Sequence, residues 1–110
     1  MAASAKVGTP ALIAGSAGTH YSVSPGAVGN IKEVLLCNID TTTAYTVTVY
    51  FVNSGGSAGD STTVIKAATV AAGTTVRFPF NTFIDAGGTV QALASTTNKI
   101  SIRVSAVEFT

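Results

Sequence analysis

The stretch from Ala44 to Val52, AYTVTVYFV, carries the clearest structural signal in this sequence. Apolar side chains recur in it at every second position, and threonine or tyrosine fills most of the positions between them. One set comprises Tyr45, Val47, Val49 and Phe51, and the other comprises Thr46, Thr48 and Tyr50. Because successive side chains of a β-strand point to opposite faces, this alternation is typical of a strand with one face in the core. Tyr50 is then expected to point outward.

The same period of two recurs in three further segments. In Lys99–Phe109 the inward set is Ile100, Ile102, Val104 and Ala106; in Thr74–Phe80 it is Val76, Phe78 and Phe80; Thr89–Ala94 is a shorter example. Turn-forming residues separate these segments at short intervals, and no segment repeats its apolar residues at helical spacing. The pattern predicts an all-β fold: a single antiparallel β-sandwich of about eight short strands, jelly-roll-like or immunoglobulin-like, with no significant helix.

The segment Ile31–Ile39 differs because it is apolar on both faces. Leu35, Cys37 and Ile39 fall on one face, which we assign to the core, and Val34 and Leu36 fall on the other. A strand of this kind is either covered on both sides by its own chain or meets another chain with its outer face. Together with the N-terminal segment and the outward tyrosine, it supplies the candidate partner-interface residues, which are Val34, Leu36, Tyr50, Leu12 and Ile13.

Length and composition limit the classes of protein. A chain of 110 residues has room for one core, and we expect a flexible N-terminal arm over residues 1–15 followed by the sandwich over residues 16–110. Only 10% of the residues are charged and the formal net charge is +1, which argues against nucleic acid as the main partner. No stretch reaches the length of an apolar membrane-spanning helix, and we recognise no signal peptide.

The residues that could carry chemistry are few and scattered. His20 is the only histidine and Cys37 the only cysteine, and the five carboxylates lie mostly in turn contexts. No nucleophile motif, metal-ligand spacing or phosphate-binding glycine loop accompanies them. We therefore expect a protein that is not an enzyme, with no catalytic residues, no cofactor and no metal.

The order of the segments resembles small β-sandwich structural proteins of tailed bacteriophages, which attach to capsids or tails. The blocks that carry the resemblance are THYSV (residues 19–23), IKEVLLCNID (residues 31–40), Tyr45–Val52, Ala71–Phe80, Gly87–Ser95 and Ile100–Phe109. One departure is Gly87-Gly88, where many such sequences have Gly-Asp. These blocks describe strand spacing and turns rather than a chemical site, so the resemblance brings no catalytic or ligand residues.

The resemblance implies a virion location and oligomeric packing. It favours a capsid decoration (cement) protein that binds the major capsid protein or other virion proteins. The protein would be made in the bacterial cytoplasm and would assemble as a homo-oligomer, with a trimer favoured. A tail or fibre component, or a carbohydrate- or receptor-binding module that uses Tyr50, remains an alternative from the sequence.

Overall fold

The chain forms two antiparallel β-sheets packed face to face, as seen in a computed structural model that describes residues 2–110. The strands are β1 (Ala3–Val7), β2 (Ala11–Leu12), β3 (Gly18–Ser22), β4 (Val28–Asn38), β5 (Tyr45–Val52), β6 (Thr63–Val70), β7 (Thr75–Ile84), β8 (Thr89–Ala94) and β9 (Ile100–Phe109). A single 3-10 turn, Asp60–Thr62, precedes β6. The predicted all-β sandwich is confirmed, and β1 with β2 count as one interrupted strand because both pair with β9.

The strand order identifies the type of sandwich. Sheet A has the order β1-β9-β4-β7, and sheet B has the order β3-β8-β5-β6. From β3 to β5 and again from β6 to β9, each strand lies in the opposite sheet from the one before it, so most connections cross the sandwich. This is the jelly-roll arrangement of two Greek keys, and it decides between the two topologies that the sequence left open.

The core lies between the sheets and consists of the residues that the alternation predicts for β5 and β9. Sheet B contributes the buried side chains of Val47, Val49 and Phe51. They face the buried side chains that sheet A contributes, which are Ile100, Ile102, Val104 and Ala106. Phe80 from β7 packs edge-to-face on Phe51, with ring centroids 4.9 Å apart. Such pairs add to the stabilisation from buried apolar area.

A β-bulge in β4 reverses the predicted orientation of its second half. Ile31 pairs with Ala106 and Glu33 pairs with Ser105, so Lys32 is an extra residue in β4. An extra residue shifts the alternation by one position, which moves every later side chain to the opposite face. Val34 and Leu36 are therefore fully buried in the core, and their assignment to a partner interface was wrong.

Cys37 and Leu35 take the outward positions instead. Both are only half-buried, and they alternate with buried Val34, Leu36 and Asn38. The prediction that Cys37 is a core residue was therefore also wrong, for the same reason. The outer face of β4 remains apolar, but with a different set of side chains from the predicted one.

The N-terminal segment is laid along the edge of sheet A. β1 pairs with β9 over five residues, from Ala3 opposite Phe109 to Val7 opposite Ser105, and β2 continues on the same strand. Ile13 is fully buried, so its assignment to a partner interface was wrong, whereas Leu12 remains 43% exposed. Met1 of the predicted arm lies outside the described residues. The mobility of residues 1–15 in solution stays a prediction.

The turn after β4 is organised by the side chain of Asp40. Its carboxylate accepts hydrogen bonds from the Thr42 amide and hydroxyl, both at 2.9 Å, and from the Tyr45 hydroxyl at 2.8 Å. Asn38 supports the same turn by accepting from the Asp40 amide and donating to the carbonyl oxygens of Thr43 and Val70. The bonds from Thr42 and Tyr45 lower the pKa of Asp40 from 3.8 to about 2.

This lowered pKa predicts a stability difference that depends on pH. The ionised form of Asp40 is favoured in the folded state, so its contribution is present above the ordinary value of 3.8 and disappears as the pH falls toward about 2. We expect the free energy of unfolding of Asp40→Asn to lie below that of the wild type at neutral pH, with a gap that narrows across this acidic window. Denaturant titrations over the same pH range measure it, and a gap independent of pH contradicts the assignment.

Candidate functional site

The outer face of sheet A carries a cluster of exposed and half-buried apolar side chains, which we call the apolar patch: Val28, Phe83, Val107 and Phe109. Phe83 is 60% exposed and Val28 is 45% exposed. The register places Val28 beside Phe109, and the rings of Phe83 and Phe109 have centroids 6.4 Å apart. Single exposed apolar side chains are common, but contiguous ones such as these mark interaction surfaces.

The patch extends onto the edge strand β1. Ala3 lies opposite Phe109 and Ala5 lies opposite Val107, so both point to the same outer face. Val7, next on that face, is 65% exposed. The apolar surface therefore continues from β7 across β4 and β9 to the free edge of the sheet.

The centre of this face is charged. Arg77 on β7 and Glu33 on β4 form an ion pair between Nε and Oε2, and Arg103 lies opposite Leu35. Beyond the charges, at the other end of the sheet, Leu12 and Ile39 are exposed and Cys37 is half-buried. The face thus offers an apolar end, a charged band and a second, smaller apolar end.

A buried amide lies within the apolar patch. Asn30 is positioned between Val107 and Phe83, and its Nδ2 donates to Oδ1 of Asn81 at 2.8 Å. Within residues 2–110 its own Oδ1 has no hydrogen-bond partner. An unsatisfied buried acceptor costs about 1–3 kcal/mol. Hydrogen bonding of buried polar groups is therefore less complete on this outer face of sheet A than in the core between the sheets.

The structure does not bring the predicted interface residues together. Val34, Leu36 and Ile13 are buried, as described above. Leu12 lies on the outer face of sheet A, whereas Tyr50 is half-buried on the outer face of sheet B, where it pairs with Gln91 and Thr63. For these last two residues, contact with a partner stays a prediction.

The members of the apolar patch were missed although the sequence contains a signal for two of them. Continuing the alternation of Ile100 to Ala106 places Val107 and Phe109 outward. Phe83 was missed because the predicted strand ended at Phe80, whereas β7 continues to Ile84. Val28 was missed because it lies before the segment that was interpreted as a strand.

An open cleft of about 560 Å³ separates the edge strands β1 and β3. Its lining includes Lys6, His20, Tyr21, Ser24 and Glu108. Glu108 is buried and accepts hydrogen bonds from the Tyr21 hydroxyl and, at 3.2 Å, from the Ser24 amide. Burial alone would raise the pKa of Glu108, but these hydrogen bonds and the charge of Lys6 outweigh it, so the pKa is lowered.

Three of the groups in the cleft, Tyr21, Ser24 and Glu108, are joined by hydrogen bonds. Burial and the bond to Glu108 raise the pKa of Tyr21, so its hydroxyl remains a donor at neutral pH. Burial lowers the pKa of His20, which keeps its imidazole neutral there. Within the described part of the chain no cluster of three or more His, Cys, Asp or Glu side chains could hold a metal ion. The contacts explain Glu108 as the buried anchor of a tyrosine rather than as part of a reactive pair.

Comparison with known proteins adds information only at the level of structure. No protein-family model and no curated protein matches the chain.

Over residues 2–110 no helix has the length and apolar character needed to cross a membrane.

Three solved structures show similar folds. A Bacillus endospore appendage, described as a disulfide-linked pilus, matches with a TM-score of 0.56 and 20% identity over 99% of this chain and 87% of its own. A chain of the T13 particle of infectious bursal disease virus matches with a TM-score of 0.58 and 13% identity, over 97% of this chain and 31% of its own. A chain of the Gx strain of the same virus gives 0.55 and 15%, over 99% of this chain and 33% of its own.

At these identities the similarities show the shared fold. The chain spans most of the length of the pilus protein but only about a third of the viral chains. All three are structural proteins of large assemblies, a pilus and a virus particle.

Proposed function

We propose that this chain is a non-enzymatic structural protein that packs against other subunits of a large assembly, and that it serves as a capsid decoration (cement) protein of a tailed bacteriophage. The observation that carries the proposal is the apolar patch on the outer face of sheet A. Large, fully desolvated aromatic side chains near the centre of an interface supply much of its binding energy. Phe83 and Phe109 are placed to act in this way.

The surroundings of the patch suit a protein–protein contact. Only 10% of the residues are charged, and depletion of charge is typical of interface centres. The Arg77–Glu33 pair and Arg103 lie beside the patch, where charged side chains form the polar rim that such interfaces have. A folded subunit with this face can bury it against a capsid surface without changing its own core.

The partners in this proposal are the major capsid protein or other virion proteins, together with further copies of the chain. The phage resemblance favours a trimer and a virion location, with synthesis in the bacterial cytoplasm. The assemblies formed by the structurally similar proteins support a role in assembly in general. Nucleic acid, membrane and cofactor have no part in the proposal.

A subunit of a fibrous appendage or of a phage tail is the second candidate. It is favoured by the similarity to the pilus protein, which extends over 99% of this chain and 87% of that one. A carbohydrate-binding module is less well supported. Tyr50 is half-buried between Gln91 and Thr63. The hydroxyls of Tyr21 and Tyr45 already donate hydrogen bonds to the carboxylates of Glu108 and Asp40 in the same chain.

Binding to capsids that lack this protein tests the proposal. We expect Phe83→Asp to weaken co-sedimentation with such capsids by about 30-fold, the effect of losing a central interface side chain. The matched control is Val64→Asp, which alters another exposed apolar residue, 38% exposed, in sheet B. Thermal unfolding should show that both variants fold.

Two outcomes would contradict a decoration role. One is that Phe83→Asp binds capsids as tightly as the wild type does, and the other is that the folded wild type does not bind capsids. Formation of filaments by the purified wild type, lost in Phe83→Asp, would instead support the appendage candidate.

A further inference from the structure

The two sheets have four edges, and three of them are interrupted. β7 contains Pro79, which has no amide proton to donate to a neighbouring strand. β6 contains Ala67 with a positive φ of 46° and shifts its register against β5. β3 shifts its register between Thr19 and Tyr21. Bulges, prolines and breaks of this kind prevent strands of other chains from pairing with an edge.

Within its five residues β1 has none of these devices, although Pro10 and a one-residue shift in register separate it from β2 on the same edge. Its register with β9 is regular from Ala3 to Val7, with neither a bulge nor a proline. All five of its side chains are exposed, so no loop covers the strand. A regular, uncovered edge strand presents its free backbone groups as a template for another strand.

The backbone groups that point away from β9 can be identified. Ala2 and Thr110 exchange hydrogen bonds at 3.1 and 2.9 Å, and the Gly8 amide donates to the Val104 carbonyl at 2.8 Å. In an antiparallel pair such residues alternate along the strand, so Ser4 and Lys6 also face β9. The amide and carbonyl groups of Ala3, Ala5 and Val7 therefore point outward, toward solvent.

Lys6, the one charged side chain within Ala3–Val7, is turned away from the outer face. Lys6 lies opposite buried Ala106 and lines the cleft between the sheets, where its charge acts on Glu108. An edge lysine that points outward is a common protection against pairing. Here Lys6 points to the other side, so the residues on the outer face of β1 are Ala3, Ala5 and Val7.

We propose that β1 pairs with β1 of a second copy of this chain, antiparallel and about a two-fold axis at Ala5. In this register Ala5 faces Ala5 of the other copy and Ala3 faces Val7, so every outward-pointing backbone group of the strand finds a partner. Lys6 faces Ser4, and no like charges are opposed. The strand is self-complementary, as a two-fold contact requires.

Other registers fit less well. An axis at Lys6 places the two lysines directly opposite each other, which is destabilising. An axis at Ser4 leaves Val7 without a partner among the described residues. The sequence of this short strand therefore selects the Ala5 register.

The pairing adds a specific contact between copies to the proposed function, and its role in an assembly rests on that function. It joins two copies of sheet A into one continuous sheet, with both apolar patches on the same face. Assemblies built with this contact contain an even number of copies, so a trimer formed through another surface would appear as a hexamer. The pairing itself concerns the purified protein and can be tested without capsids.

Two proline variants test the contact. Ala5→Pro removes an amide that points to solvent, so it should retain the fold, but it should convert the pair into single subunits in light scattering. Ser4→Pro is the matched control for intramolecular pairing, because it removes an amide that faces β9 and should lower the thermal stability. A wild type that is monomeric over a range of concentrations, or an Ala5→Pro variant with unchanged mass, would overturn the proposal.

Disulfide cross-linking tests the register. Directly opposite, hydrogen-bonded residues have Cα atoms about 5.5 Å apart, within the range that a disulfide spans. In a Cys37→Ser background, Ala5→Cys should form covalent dimers on mild oxidation, whereas Ala3→Cys should not. Equal cross-linking of both would refute the Ala5 register. Retained cross-linking in a Phe83→Asp variant that no longer binds capsids would preserve the pairing and separate the two proposals.

Discussion

Replacement of Leu36 by alanine is expected to lower the free energy of unfolding by about 2–4 kcal/mol, the usual cost of emptying a buried leucine site. Leu36 is fully buried in the core as a consequence of the Lys32 bulge. The adjacent Leu35 is half-buried on the outer face, so Leu35→Ala should cost less than about 1 kcal/mol.

Urea unfolding of the two single variants measures this difference. Because the two leucines are neighbours in one strand and undergo the same substitution, differences in β-propensity largely cancel. The slope of free energy against denaturant should be unchanged in both, which shows that the comparison is one of stability. A greater loss in Leu35→Ala than in Leu36→Ala would mean that the uninterrupted alternation was the correct interpretation of this strand.

Removal of the Tyr21 hydroxyl should have the second largest effect. In Tyr21→Phe the buried carboxylate of Glu108 loses one of its hydrogen bonds and retains the Ser24 amide. Hydrogen bonds to charged groups contribute about 1.5–3 kcal/mol, so we expect a loss of about 2 kcal/mol at neutral pH. Tyr45→Phe is the matched control, because its hydroxyl binds Asp40, which is less buried than Glu108, and the expected loss is smaller.

The pH dependence of the Tyr21→Phe effect provides a further check. The hydrogen bond helps to lower the pKa of Glu108 from its ordinary value of 4.5. The wild type therefore gains stability from Glu108 above that pH and loses it as the pH falls below. The gap between the wild type and Tyr21→Phe should narrow on acidification. Equal losses for the two tyrosine variants, with no change on acidification, would contradict the role assigned to Glu108.

The sequence predicts the fold class well because alternation is a local property. In β5 and β9, residues such as Val49 and Ile102 lie where the period of two places them. Neither strand is interrupted by an extra residue, although the register of β5 against β6 shifts. The jelly-roll order could not be predicted, since it depends on which strands pair across the sandwich and not on any single segment.

The candidate site was predicted only in part. The outer face of β4 was recognised as apolar, but Val34 and Leu36 were assigned to it because the bulge at Lys32 leaves no mark in the composition of the segment. Phe83 was missed because β7 extends past the last phenylalanine of the recognised alternation. The free edge at β1 was interpreted as a flexible arm, since five small or exposed residues have no periodicity that distinguishes an edge strand from a loose end.

The bulge at Lys32 makes this position more tolerant of substitution and of deletion than the positions that follow it in β4. Lys32 is exposed and its side chain makes one long contact, from Nζ to Asn81 Oδ1 at 3.4 Å, so most substitutions there have little to disturb. Loss of the codon would also keep Val34 and Leu36 in the core, because Ile31 and Glu33 would then be neighbours in a regular ladder opposite Ala106 and Ser105. Loss of the Leu35 codon is different, because it would turn Leu36 out to solvent. Relatives of this protein should therefore vary at position 32 both in the amino acid and in its presence, while preserving the number of residues between Val34 and Asn38.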